Sequence, residues 1–249
     1  LGNGSVTFSN GGISGYDAQT IELSNNGSVS FSSKNSYKGS AISVGEFSSI
    51  TLSNNDSVTF SGCEPYYTGE GVLNGDQFST ITLNGNRSVT FSKNLDGAIR
   101  GGTNSTITLS NNGSVTFIGN SDPGNGGVIC GGWKSMIELS GNESLTFSEN
   151  KASSYGGAIY GDRDSTITMS DNGSVTISGN KASSGGAIDA YGNLSIRNND
   201  SVLFEKNAEK SAGSYRLRSI YARGSGATIY LSAAEGKSIE FRDAVYIAS

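Results

Sequence analysis

Residues 137–161 read IELSGNESLTFSENKASSYGGAIYG, and residues 167–188, ITMSDNGSVTISGNKASSGGAI, carry the same parts in the same order. Earlier versions begin at Ile21, Ile50, Ile81 and Ile107, and a worn one at Leu194. Each copy holds a short alternating strand, a polar turn, a second alternating strand ending in Phe-x-x-Asn, a variable loop and a Gly-Gly-Ala-Ile segment. Self-similarity on this scale marks stacked units, and it overrides a domain count taken from length. The Phe that closes the second strand recurs at Phe8, Phe31, Phe60, Phe91, Phe117 and Phe147, then as Ile177, Phe204 and Phe241. Such uneven spacing suggests constrained strands joined by free loops.

The apolar period is two throughout, which excludes an α-solenoid. Ile167 and Met169 share one face and Thr166 and Thr168 the other; Val175 and Ile177 repeat the arrangement. Asp171, Asn172 and Gly173 between the strands tolerate positive φ and suit a sharp corner. So tight a link also fits a hairpin, the local competitor. Two features favour a coil of parallel strands. Similar copies stack most easily when each strand pairs with its own counterpart one turn on, and the Gly-Gly-Ala-Ile element supplies a third side. The expectation is an all-β, single-stranded parallel β-helix of roughly eight turns, with three short strands per turn. A lone turn offers about six inward side chains at ~1.5–3 kcal/mol each, against a backbone cost of about 1–2 kcal/mol per residue. It cannot fold alone, so stacking is obligatory and the ends are vulnerable.

Repeats are expected over 1–207. Over 208–249 the reading is an irregular loop (Ala208 to Ala222) and a terminal β-helix turn or cap (Thr228 to Ile247), leading into a missing C-terminal part. The chain opens mid-pattern at LGNGSVTF, without a signal peptide, and is expected to be a fragment of a longer protein.

Hydrophobic residues make up 34% of the chain, with 36 Gly and only 2 Pro. That suits a thin, elongated protein with a narrow core. The net charge of −5 with no long basic run makes nucleic acid a poor partner. No apolar stretch approaches the ~20 residues of a spanning helix, so membrane insertion of this piece is not expected. Cys63 falls where other copies have Asn, and Cys130 follows Gly-Gly-Val-Ile two copies later. Two layers at ~4.8 Å separate them by about 10 Å, beyond disulfide reach. Both are read as free, mostly buried thiols.

Asn94, Asn120, Asn150, Asn180 and Asn207 are expected to lie one above another. Stacked amides donate and accept along the column, avoiding the ~1–3 kcal/mol cost of an unpaired buried amide; Cys63 interrupts it. The Phe-x-x-Asn and Gly-Gly-Ala-Ile signatures resemble the repeats of the chlamydial-type polymorphic outer-membrane protein family. Here they read FSKN…GAI (Phe91 to Ile99), FIGN…GGVI (Phe117 to Ile129), FSEN…GGAI (Phe147 to Ile159) and ISGN…GGAI (Ile177 to Ile188). The structural motif residues are Phe91, Asn94, Phe117, Asn120, Phe147, Asn150, Gly156, Gly157, Asn180, Gly185 and Gly186. The resemblance implies an autotransporter whose right-handed β-helical passenger is carried to the bacterial surface by a C-terminal barrel and serves largely in adhesion.

Parallel β-helices include polysaccharide-cleaving enzymes, and catalysis would need suitable side chains. The chain has no His, which removes His triads, His metal sites and the commonest acid–base residue. Asp162 and Asp164 flank Arg163, with Asp189 a turn later; they read as corner and surface charges rather than the converging pair glycoside hydrolysis requires. No catalytic residue, metal site or cofactor is implied. The Asn-x-Ser triplets at Asn26, Asn55, Asn86, Asn112, Asn142, Asn172 and Asn199 match a glycosylation acceptor pattern, but turn chemistry already explains them. The outward Ser/Thr ladder (Ser57/Thr59 through Ser174/Thr176) invites an ice-binding reading. Met136 and Glu138 break the first-strand ladder and argue for a plain solvated face.

Recognition belongs in the loops. Glu64, Tyr66 and Tyr67 leave the second complete turn with two adjacent aromatics, and Trp133 sits in a corner between Gly132 and Lys134. Aromatics of this kind supply hot-spot contacts, although folding down over the helix side is the plainer fate. The leading expectation is an adhesin or rigid stalk on the bacterial surface or secreted, engaging a host cell-surface or matrix protein or glycan. The alternatives are a filament module that self-associates end to end, or a carbohydrate-active enzyme.

Overall fold

The computed structural model describes residues 3–32, 34–36, 41–65, 70–124, 126–211, 213–224 and 226–248. Within them every regular element is a β-strand. One turn shows the plan. A third-side strand, Ile129–Gly131, leads through a corner into the first-side strand Met136–Ser140, and a second corner leads into the second-side strand Ser144–Ser148. After the Phe-x-x-Asn corner a two-residue strand, Lys151–Ala152, and a loop bring the chain back to Ile159, where the next turn begins.

Each strand pairs in parallel with its counterpart above and below. Ile137 lies between Ile107 and Ile167, and Phe147 between Phe117 and Ile177. Nine second-side strands, from Asn3–Phe8 to Ser238–Phe241, form one continuous sheet. The hairpin competitor is thereby excluded for the repeats. Among the described residues antiparallel pairing is confined to Ala208–Ser211 with the start of Ser214–Ala222, inside the charged loop. The solenoid has about seven turns rather than roughly eight. At its ends the core thins: Val6, Phe8, Ile21 and Leu23 at the start and Ile229, Ile239 and Phe241 at the finish are only partly buried.

Period-two alternation sends one residue in two to the core. Ile107, Leu109, Val115 and Phe117 are fully buried while Thr108 and Thr116, which alternate with them, are not. The inward Phe rings stack along the axis. From Phe8 through Phe31, Phe60, Phe91 and Phe117 to Phe147, successive centroids are 4.6–5.0 Å apart with planes within 3–9°. The spacing is the distance between strands, so one register serves both the backbone ladder and the aromatic core. Ile177 interrupts the stack, which resumes between Phe204 and Phe241.

Sharp corners demand left-handed backbone. At the first-to-second corner the positive-φ residue is the first of the triplet (Asn54, Asn111, Asp171), and at Phe-x-x-Asn it is the residue before the Asn (Gly62, Lys93, Gly119, Glu149). The Gly-Gly pair serves two purposes. Gly156 has φ +51, and a Cβ on Gly157 would collide with the carbonyl of Gly186 on the next turn. Only glycine meets both conditions.

The Asn column exists as expected. Nδ2 of Asn94, Asn120, Asn150 and Asn180 donates to Oδ1 of the next Asn at 2.9–3.0 Å. It also donates to a Phe carbonyl of the turn before, for example Asn120 to Phe91 at 3.0 Å. At Cys63 the backbone N–H still donates to Asn94 Oδ1, and the thiol reaches the Phe31 carbonyl at 3.6 Å. Cys63 and Cys130 are both buried and form no disulfide with each other. At the far end Asp243 takes the place of the next Asn, accepting from Asn207 N and Nδ2 and from the Ser219 hydroxyl. A second buried ladder runs along the other corner. Asn55, Asn86, Asn112, Asn142, Asn172 and Asn199, the glycosylation-like triplets, bond amide to amide in the same way.

Asn120→Ala strips partners from Phe91 O, Asn94 and Asn150 at once, and buried unpaired groups cost about 1–3 kcal/mol each. We expect a loss of roughly 3 kcal/mol or more in denaturant unfolding. Cys63→Asn restores the ladder and should gain about 1 kcal/mol.

Candidate functional site

The three sides carry different chemistry. Outward positions of the first and second sides are mostly Ser and Thr, whose hydroxyls bond between turns, as from Ser49 to Thr20 and from Ser92 to Ser61. The third side is far more varied. Its outward column, read from the strand pairings, runs Ser14, Ser43, Asn74, Arg100, Cys130, Tyr160, Asp189, Tyr221, Tyr246. The upper half is thus rich in tyrosine (Tyr160, Tyr221 and Tyr246, with the buried Asp189 between the first two), and the adjoining loops and corners of this ridge add Tyr155, Arg163, Tyr191, Arg218 and Arg223.

These groups hold one another. The Arg223 guanidinium lies 4.4 Å from the Tyr155 ring centroid and 5.0 Å from that of Tyr191, and its Nε donates to the buried Asp189 at 3.2 Å. Arg163 Nη2 donates to the Tyr191 hydroxyl at 3.0 Å, with its guanidinium 5.2 Å from the same ring. The Tyr160 hydroxyl donates to Asp162 at 3.1 Å, and its ring stacks on Tyr155. Beside them lies a half-open cleft of about 560 Å³, walled by Arg163, Asp164 and Tyr191 and floored by Gly192 and Gly224. Cation–π contacts of this density fix side chains that would otherwise be mobile, which lowers the entropy a ligand must overcome.

Trp133 stands at the rim, 44% exposed. Its indole N–H donates to Asp164 at 3.1 Å, and Lys134 Nζ is 4.4 Å from its ring. The structure therefore brings Trp133 to the ridge but leaves it half in solvent. Glu64 lies in a two-residue strand, Glu64–Pro65, paired beside residues 34–36 and distant in sequence from the ridge. Tyr66 and Tyr67 fall outside the described residues. The sequence reading missed Tyr155, Tyr160, Tyr191, Tyr221, Tyr246 and Arg223. For Tyr160, Tyr221 and Tyr246 the signal was available as the outward position of the third strand, in Tyr160 and Tyr221 the residue after its Ile.

Asp162, Asp164 and Asp189 are each committed to a different partner (Tyr160, Trp133 and Arg223). Among the described residues no group of His, Cys, Asp and Glu could hold a metal ion. Burial pushes the Asp189 carboxyl up to about 6, against the opposing pull of the Ser184 hydroxyl and Arg223. Lower on the third side, Asp122 is also raised to about 6, chiefly by burial and further by Asp96, while the Gly124 N–H and Arg100 oppose the shift. The Cys130 thiol, buried beside them, is pushed up to about 11.

The stacked coils, the paired Asn ladders and the single decorated side define a parallel β-solenoid built from repeated turns. Its repeat matches the Chlamydia polymorphic membrane protein repeat at residues 144–162 and 174–191, so the chain carries that repeat in two successive turns. Each matched stretch begins on the second side and ends on the third, at Asp162 and at Tyr191. Comparison with curated proteins and with solved structures returns no match.

A folded carboxyl raised from 3.8 to about 6 contributes stability that is fully present below pH 4 and is lost as pH rises through 6. Asp122→Asn keeps an oxygen for the Gly124 N–H and removes that titration. We expect its unfolding midpoint to vary less between pH 4 and 6 than that of the parent, measured by chemical denaturation.

Proposed function

We propose that this chain is a surface-exposed, autotransporter-type passenger fragment, on the bacterial surface or secreted, that acts as an adhesin or rigid stalk. It engages a host cell-surface or matrix protein or glycan through the third side. The observation that carries the reading is the segregation of chemistry. Two sides repeat small hydroxyl residues, while the third concentrates aromatics and guanidinium groups around a cleft on a rigid frame. Tyr, Trp and Arg are the residues that dominate binding energies at interfaces. The polymorphic membrane protein repeat supports a surface location.

No catalytic role is assigned. Acid–base cleavage of a glycoside needs two carboxylates facing one bond, and Asp162, Asp164 and Asp189 each serve a neighbouring side chain. Glu64, Tyr66 and Tyr67 remain a second candidate contact on an earlier loop.

Binding of the purified chain to cultured host cells, compared with an Arg163→Ala/Tyr191→Ala variant of equal thermal stability, tests the reading. Loss of a hot-spot pair worth about 2 kcal/mol weakens binding roughly 30-fold. Unchanged binding removes the cleft from the adhesive surface. Deletion of Glu64 to Tyr67 should leave folding intact and weaken binding if that loop contributes.

A further inference from the structure

The edge between the third and first sides changes character along the solenoid. Its early corners are GYDAQ (15–19), GEFS (45–48) and GDQFS (75–79). Backbone bonds hold them in vertical register: Ala18 N donates to Glu46 O, Phe47 N to Gln77 O and Phe78 N to Thr103 O. Ala18, Phe47 and Phe78 therefore occupy one column, continued by Asn104, Lys134 and Asp164. All six have φ between +52 and +60, with Phe47 at +54 and Phe78 at +56.

Left-handed backbone is a requirement of this corner, and Asn or Asp meets it with less strain than a bulky ring. Of the later turns, Asn104 and Asp164 follow that preference and Lys134 does not; Phe47 and Phe78 are the two positions that place an aromatic ring there. Burial does not compensate them. Phe47 is 64% and Phe78 45% exposed, their rings stacked on each other at 4.8 Å with parallel planes. Tyr16, 78% exposed, begins the same edge. Fold stability alone favours Asn at both Phe positions, so the pair is accounted for by something it contacts.

The surrounding charge indicates what that is. The three corners carry Asp17, Glu46 and Asp76, and no Lys or Arg. Each carboxylate is oriented: Asp17 Oδ1 accepts from Glu46 N at 2.9 Å, Asp76 Oδ1 from Gln77 N at 2.8 Å, and Glu46 Oε1 from Gln77 Nε2 at 3.3 Å. These bonds use one oxygen of each. Short side chains, Ala18 below and Asn104 above, flank the ring pair. Flat aromatic faces bordered by fixed carboxylates suit guanidinium and ammonium groups, which combine a cation–π contact with a charge-assisted hydrogen bond.

We propose that this acidic, aromatic edge (Tyr16, Phe47 and Phe78 with Asp17, Glu46 and Asp76) is a docking site for a basic, arginine- or lysine-rich polypeptide segment. It is separate from the Tyr191 cleft and does not depend on it.

The test uses the whole chain and a fluorescent nona-arginine peptide, with affinity read by anisotropy over a range of salt. Phe47→Asn/Phe78→Asn should keep or raise the melting temperature and weaken binding at least tenfold. Glu46→Gln/Asp76→Asn should weaken binding and flatten its salt dependence. The remote pair Asp56→Asn/Glu143→Gln, with the same change in net charge, should stay within twofold of the parent. Arg163→Ala/Tyr191→Ala should also bind the peptide normally, whatever its effect on cells. Should the Phe variant fail to fold, the two charge variants decide alone. Equal affinities of the edge and remote variants would overturn the proposal. So would the absence of peptide binding, or a self-association in sedimentation that the Phe variant abolishes, which would assign the edge to a second copy.

Discussion

Each turn of this chain is tied to the next by buried side-chain amides. The backbone ladders couple a turn to its two neighbours, and at both polar corners a buried Asn completes the coupling. It accepts from the turn before and donates to the turn after while also holding a carbonyl. An antiparallel arrangement could not place identical side chains directly over one another, so the ladders and the parallel register require each other. The Phe stack adds apolar burial on the same spacing. Stability is therefore shared along the axis and scarce within any one turn, as expected for a quasi-one-dimensional fold.

Much of this was legible because the frame repeats. Phe117, Asn120 and the Gly-Gly pair recur in fixed order, and repetition turns a weak local pattern into a strong one. The second ladder was visible only as a turn signal. In Asp-Asn-Gly all three residues suit a corner, and nothing local reveals that Asp171 takes the left-handed backbone while Asn172 points inward. The ridge was harder to read for a different reason. Loops of unequal length precede each third strand, so Arg100, Cys130, Tyr160 and Asp189 do not line up by eye although they share one column in space. Trp133 was noticed for its size, yet its neighbours Asp164 and Arg163 are brought to it by stacking alone. The fold depends on what the copies share, and the candidate sites on what they do not.

That contrast explains how the molecule divides its labour. The first and second sides hold the register and expose small hydroxyls. The third side and its edge vary in residue type from turn to turn, and several of their side chains hold one another, as Arg223 holds Asp189 and Tyr160 holds Asp162. Along one edge the composition passes from Asp17, Glu46 and Phe47 to Lys134, Arg163 and Arg223, giving a rigid rod whose two halves differ in charge and in aromatic type.

Asp243 gives the amide column a direction. In every Asn the side-chain nitrogen donates toward the following turn, so the row would end on an unsatisfied donor unless something received it. A carboxylate receives Asn207 and Ser219 together and asks for nothing in return. Polarity of this sort permits growth by duplication anywhere along the interior, since an inserted circuit offers its neighbours the same hydrogen-bonding surfaces as the one it was copied from. At Asp243 the row changes from an amide that both donates and accepts to a carboxylate that only accepts.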